Sequence, residues 1–370
     1  MLHRLHRWWA VLIIAGLVIC AVLLLHTLWW QDPQQVAAFD TSDAIHAVAI
    51  SDDQSLIAAG DTAGQITIWQ LDTRQIVQQW QAASTTIVEL HFLPASYTIL
   101  AGSSDSAISV WEGETGRLLR TLDGLKSTTK DRGGALQALP PSGLHAIALT
   151  SDGRFVAVGG EQGRIRIFDV ATGMVVHQLQ GHPVVDVPGR YSGVARVAFS
   201  GDGKYLASGA DDGSMTIWGT QTWQLVTISP QDYTFGPPRV IAFPINTNSI
   251  VYLGGGSTIT YEVRDILSAQ VLLQGIIRGL YVKALVFAPD TTTYARGGED
   301  TTGVARFLPP LEKTYDSNIY VERLADKTAV TLRTLSGHQG RIMSLAMSQD
   351  GQLLISGSDD TTVRVWQIAK

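Results

Sequence analysis

Two groups of side chains in this sequence have the composition of a hydrolase centre. His182, Ser208, Asp212 and Trp218 form one, and His338, Ser356, Asp360 and Trp366 the other. A serine whose proton passes to a histidine steadied by an aspartate is the nucleophile of many acyl-transfer enzymes. Here, though, serine, aspartate and tryptophan recur at the same spacing in both groups, four and then six residues apart. A catalytic centre breaks a repeat, whereas a set that recurs in register with its tryptophan defines one. Both groups therefore read as structural, and no catalytic residue is assigned. The nine histidines show no HExxH or CxxC spacing, and His46 and His145 fall on matched strand positions, so no metal site is expected. The Asp-rich turns lack the ligand spacing of a calcium loop and read as tight turns that use Asp and Gly for unusual backbone angles. No glycine-rich phosphate loop occurs, so no cofactor is expected, and a net charge of −6 argues against nucleic acid as a partner.

The elements that must hold these residues are visible as an internal repeat. The unit GHQGRIMSLAMSQDGQLLISGSDDTTVRVWQIAK at the end of the chain recurs at 193–220, 144–170 and 45–71, more loosely at 88–113 and 282–308, and most weakly at 239–263. Each copy reads as three short strands. The first ends at a polar turn, the second ends in small residues and Gly, and the third ends in Trp or Phe. A fourth apolar stretch follows, as in RLLRTL at 117–122. Four antiparallel strands, repeated seven times, predict an all-β, seven-bladed propeller.

These residues resemble the WD40 (WD-repeat) family over nearly all of 36–370. Gly181-His182 and Gly337-His338 match its Gly-His signature, Trp69, Trp111, Trp218 and Trp366 its terminal Trp, and Phe168-Asp169 stands in place of the Trp-Asp pair. The resemblance implies that the two groups above are hydrogen-bonded tetrads, in which indole, hydroxyl, imidazole and carboxylate satisfy one another inside the sheets. Ala59, Ala101, Gly159 and Arg296 occupy the serine position elsewhere. It also implies a non-enzymatic scaffold with protein or peptide partners.

Ahead of the repeats lies RWWAVLIIAGLVICAVLLLHTLWWQDP. Residues 10–28 form a 19-residue apolar run with a Trp pair on either side. As a helix it would reach about 28 Å, near the hydrocarbon thickness of a bilayer and longer than a signal-peptide core. Arg4 and Arg7 precede it, and no Lys or Arg follows until Arg74. The positive-inside rule then predicts a cytoplasmic tail (1–9), a single transmembrane helix (10–30, with lipid contact across 8–30), a linker (31–35) and an extracytoplasmic propeller (36–370). Cys20, the single cysteine, lies within the run, so the propeller has no thiol.

The final repeat ends after its third strand, and QQVAAFDT at 34–41 precedes the first. This segment is expected to supply the missing outer strand and close the ring. A tether entering there meets the face that carries the loops between third and fourth strands, with a linker of at most about 14 Å. Long blade-to-blade connections at 123–143, 181–193 and 229–239 then fall on the membrane-distal face and mark a partner-binding rim, with Arg132, Arg190, Tyr191, Tyr233 and Phe235 as its candidate contacts. An insertion at 308–328 is read as joining strands three and four of blade six, on the membrane side. The alternative is an enzyme (a hydrolase or a quinone-dependent dehydrogenase) or a ligand sensor with its site in the central channel. The innermost strands, HAVAI, HAIALT, ARVAFS and MSLAMS, read as mostly apolar or small, which weighs against it.

Overall fold

A computed structural model describes residues 34–122, 128–130, 136–138, 146–160, 163–182, 193–229, 238–243, 248–254, 259–277, 282–290, 292–298, 316–325 and 327–368. Seven antiparallel sheets of at least four strands make up a seven-bladed propeller, and a two-stranded ribbon (Thr128–Lys130 with Leu136–Ala138) stands between blades two and three. The apolar run at 10–28, with all of 1–33, lies outside the described residues. Among those described, no helix is long and apolar enough to cross a membrane.

Burial falls from the middle of each blade outward, and this explains the composition of the repeat. In the first blade the second strand, Leu56–Asp61, is buried at every position, and the third, Gln65–Gln70, at its four central ones. Both faces of these strands meet neighbouring blades, so they read as unbroken runs of apolar and small residues. The outer strand, Ile76–Gln81, is half-buried or exposed throughout. The core is divided accordingly: seven apolar clusters form, one between each pair of adjacent blades.

The glycine near the end of the second strand permits the blades to approach. A Cβ on Gly60 would lie 2.4 Å from Ile87 Cγ2 of the next blade, and one on Gly357 would lie 2.3 Å from Ile45 Cγ2 across the seam. The same closeness recurs at Gly159, Gly209 and Gly297. In blade five Leu253 holds the matching register position, opposite Val240.

At the seam, Gln35–Asp40 pairs antiparallel with Thr362–Gln367, the third strand of the last blade. Ala37 and Phe39 point inward, and the Phe39 ring lies 5.3 Å from that of Trp69 in blade one. Arg74 donates to the Val36 carbonyl (2.9 Å) and Arg364 to Gln35 Oε1 (2.6 Å). The N- and C-terminal strands thus share one sheet, and that sheet shares an apolar cluster with blade one.

Blade six corrects the sequence reading. Its third strand is Ile319–Arg323, paired with Thr293–Gly298 on one side and Val330–Leu335 on the other. The long insertion therefore joins strands two and three (299–318), not strands three and four. The misreading came from GVARFL at 303–308, which imitates the Val-x-Val-Trp ending of the last repeat but lies outside the described residues. In an up-and-down blade, loops between strands two and three open on the same face as blade-to-blade connections. The strands that flank the insertion accordingly end and begin at the face where the blade-to-blade connections leave. The short turn that does join strands three and four reaches back to blade five: Lys327–Thr328 adds a parallel pairing to Gly275 and Ile276, and Tyr261 donates its hydroxyl proton to the Ala325 carbonyl.

Candidate functional site

The His338 group is assembled as a closed circuit. His338 Nε2 lies 2.7 Å from Ser356 Oγ, its Nδ1 lies 2.9 Å from Asp360 Oδ2, and Trp366 Nε1 donates to Ser356 Oγ at 2.9 Å. Burial lowers the His338 pKa, outweighing the opposing pull of Asp360. Burial alone would raise the Asp360 carboxyl, but hydrogen bonds from His338, Thr362 and the Gln339 N–H hold it below its ordinary range. Neutral His338 then donates from Nδ1 to Asp360 and accepts at Nε2 from the serine. That order is the order of a hydrolase triad, yet Ser356 and Trp366 are both fully buried, and the indole proton occupies the serine oxygen. No substrate carbonyl can reach it, so the arrangement stabilises the blade and performs no acyl transfer.

The His182 group is built differently from its sequence reading. His182 Nε2 meets Ser208 Oγ at 2.5 Å, but its Nδ1 meets Ser214 Oγ at 2.7 Å, and Ser214 donates on to Asp212 at 2.6 Å. Asp212 therefore reaches the histidine through a serine that the spacing rule did not single out. His182 is almost fully buried, and this lowers its pKa to about 4 against the pull of Asp212. Trp218 packs in the apolar cluster between blades three and four.

Elsewhere the same positions are filled by other chemistry. Ser109, two residues before Trp111 on the same strand, takes the indole proton (2.6 Å) where Ala101 leaves no hydroxyl. In blade three the register places Val158, not Gly159, at the serine position, beside the strand that carries Phe168. In blade six Arg296 and Glu322 take the serine and tryptophan positions and form a two-pronged ion pair, 2.9 Å at each contact. Tyr294 donates to the same carboxylate at 2.5 Å, and burial together with Glu322 pushes its hydroxyl pKa far up. In blade five Arg264 stands at the tryptophan position and pairs with Glu262 at 2.6 Å.

The central channel also departs from expectation. A cavity of about 640 Å³ is lined by His46, Glu89, His91, Arg196, Lys283 and Ser344 among apolar residues of the innermost strands. The strands HAVAI, HAIALT, ARVAFS and MSLAMS are mostly apolar or small, but Arg196 within ARVAFS and Glu89, His91 and Lys283 on the innermost strands of two other blades add charge to the lining. Half-buried His46 has its pKa lowered first by burial and further by Lys283 and Arg341, against the opposing effect of Asp359. Asp359 lies 3.9 Å away and accepts from Arg341 at 2.5 Å. Among the described residues no group of His, Cys, Asp and Glu could hold a metal ion. Arg132, Arg190, Tyr191, Tyr233 and Phe235 all lie outside the described residues, so the proposed rim has no geometry to report.

The family model for the WD domain, G-beta repeat, matches residues 137–169, 173–219 and 329–367. The angio-associated migratory cell proteins of Homo sapiens and Pongo abelii are each 29% identical over 139 residues, 38% of this chain and 28% of theirs. The chain thus spans under a third of the length of the curated relatives it matches. A chain from the crystal structure of the mitotic checkpoint complex superposes with a TM-score of 0.67 at 16% identity, covering 92% of this chain and 93% of its own. At that identity the likeness is one of fold. The chain carries WD40 repeats on a seven-bladed propeller.

Proposed function

We propose that this propeller is a non-enzymatic scaffold, tethered to a membrane by residues 8–30, that presents one face to protein or peptide partners on the extracytoplasmic side. The observation that carries the reading is topological. The described strands that flank four long segments, at 122–146, 182–194, 229–238 and 299–318, end and begin at one face of their up-and-down blades. The other face has short turns between its strands. Long loops on a rigid scaffold are where binding residues concentrate. The sealed His–Ser–Asp groups remove the most enzyme-like feature of the sequence.

The tether is supported by the apolar run at 10–28 and by where the first described strand begins. Gln35 starts on the short-turn face, paired with Trp366. At that same end every outer strand exposes an apolar side chain within its first two residues: Val36, Ile76, Leu118, Val175, Leu225, Leu272 and Val330. Asp52, Asp152, Asp202 and Asp350 project from turns on this face, which favours a zwitterionic over an anionic lipid surface.

Crosslinked affinity purification of the tagged chain tests the scaffold. Removing 126–140 and 184–191 should abolish partner recovery and leave the melting temperature nearly unchanged; undiminished recovery overturns the rim. Protease added to intact spheroplasts should cut the propeller, and full protection alongside cleavage of other exported proteins overturns the orientation.

A further inference from the structure

The channel has a property that neither the repeat nor a partner-binding rim requires: its charges are sorted by side. Blades one and two contribute His46, Glu89 and His91. Blades four and six contribute Arg196 and Lys283. Between these arcs the described lining residues from blades three, five and seven are apolar apart from Ser344, among them Ile147, Val240, Ile241, Met343 and Leu345. Two imidazoles and a carboxylate thus face two cations across a cavity of about 640 Å³, within the usual range of small-molecule sites. His91 stands beside Glu89 on this wall, its Nε2 3.5 Å from Glu89 Oε2.

We propose that the central channel binds a zwitterionic small molecule, an α-amino acid or short peptide, with its carboxylate toward Arg196 and Lys283 and its ammonium toward Glu89. The electrostatic argument selects the class. A plain anion gains from the two cations and is repelled by Glu89, and a plain cation meets the reverse. Only a ligand carrying both charges gains at both walls, and low-dielectric apolar surfaces between the walls lengthen the reach of each charge. The apolar blades leave room for an uncharged body. This inference does not rest on the tether or the rim, since the channel residues belong to the innermost strands.

The test is isothermal titration of the full chain in detergent against a panel of the free amino acids and their glycyl dipeptides. Each probe is paired with its N-acetyl form, which keeps only the carboxylate charge, and its amide form, which keeps only the ammonium. At least one zwitterion should bind saturably below about 10 mM and at least about tenfold more tightly than either of its capped forms. Free amino acids and dipeptides distinguish a metabolite from a peptide end as the source of that chemistry. Lys283→Ala, an exposed position, should weaken binding about tenfold with the melting temperature unchanged. Glu89→Gln should erase the preference for the zwitterion over its N-acetyl form. Saturable binding by no member of the panel, equal binding by capped forms, or full affinity in Lys283→Ala overturns the proposal.

Discussion

Replacing Glu322 by Gln should be far more damaging than replacing the whole ion pair to which it belongs. Glu322 is 4% exposed and accepts both prongs of Arg296, the Tyr294 hydroxyl and, at 3.1 Å, Thr331 Oγ1. Arg296 cannot escape to water, because its guanidinium is packed over the Tyr320 ring at 4.5 Å with its side chain 12% exposed. Removing the carboxylate charge therefore leaves a buried cation without compensation, a cost of about 3–5 kcal/mol. The triple replacement Arg296→Met, Glu322→Leu, Tyr294→Phe removes the charges and the hydroxyl together. By the same principle, a well-packed apolar substitute for a buried pair is often neutral or stabilising, so a net cost under about 2 kcal/mol is expected. Urea denaturation followed by tryptophan fluorescence reads both, provided the slope against denaturant is unchanged between variants. Equal losses in the single and triple variants would refute the reasoning, since the damage would then come from lost shape and not from an abandoned charge.

Three further outcomes follow from the geometry. His182 stays neutral in the folded chain down to about pH 4, against 6.5 in the unfolded chain. The stability this contributes is present above pH 6.5 and is lost as pH falls from there to about 4. The loss is on the order of 3 kcal/mol, and the acid slope of the denaturation midpoint should flatten over that interval in His182→Gln. Phe39→Ala empties a buried site between the first and last blades and should cost about 3–5 kcal/mol, while Asp40→Ala, exposed on the same strand, should cost under about 0.5 kcal/mol by thermal denaturation. Gly357→Ala drives a methyl against Ile45 and should cost about 1–3 kcal/mol, whereas at Gly201 an added Cβ meets nothing within 4 Å and the midpoint should hardly move.

What could be read in advance, and what could not, divides along the repeat. The propeller was legible because the blades bury their second and third strands on both faces, and this favours the same run of small residue, Gly, tight turn and aromatic, from which blade five departs at Leu253 and Arg264 and blade six at Glu322. The third strand of blade six was missed for a related reason. Its IYVER places Glu322 where a pattern reader looks for Trp, and GVARFL upstream offered a better match to the consensus. Only the requirement that buried Arg296 find a counter-charge could have pointed to Glu322, and that requirement is invisible until the two strands are in register. Ser214 was hidden in the same way, because it stands between His182 and Asp212, at the Nδ1 contact that Asp360 makes directly in the last blade.

The channel charges show where repeat-based reading turns against function. Aligning the blades averages away the second and third positions of each innermost strand, and those are the positions that face the axis. His46, Glu89, Arg196 and Lys283 come one from each of four blades, so each looks like noise in its own repeat. Summed around the ring they set opposite charges facing each other across open space. Seven sheets of one pattern therefore fix the frame, and the charges that distinguish one wall of the channel from the other come from positions the pattern leaves open.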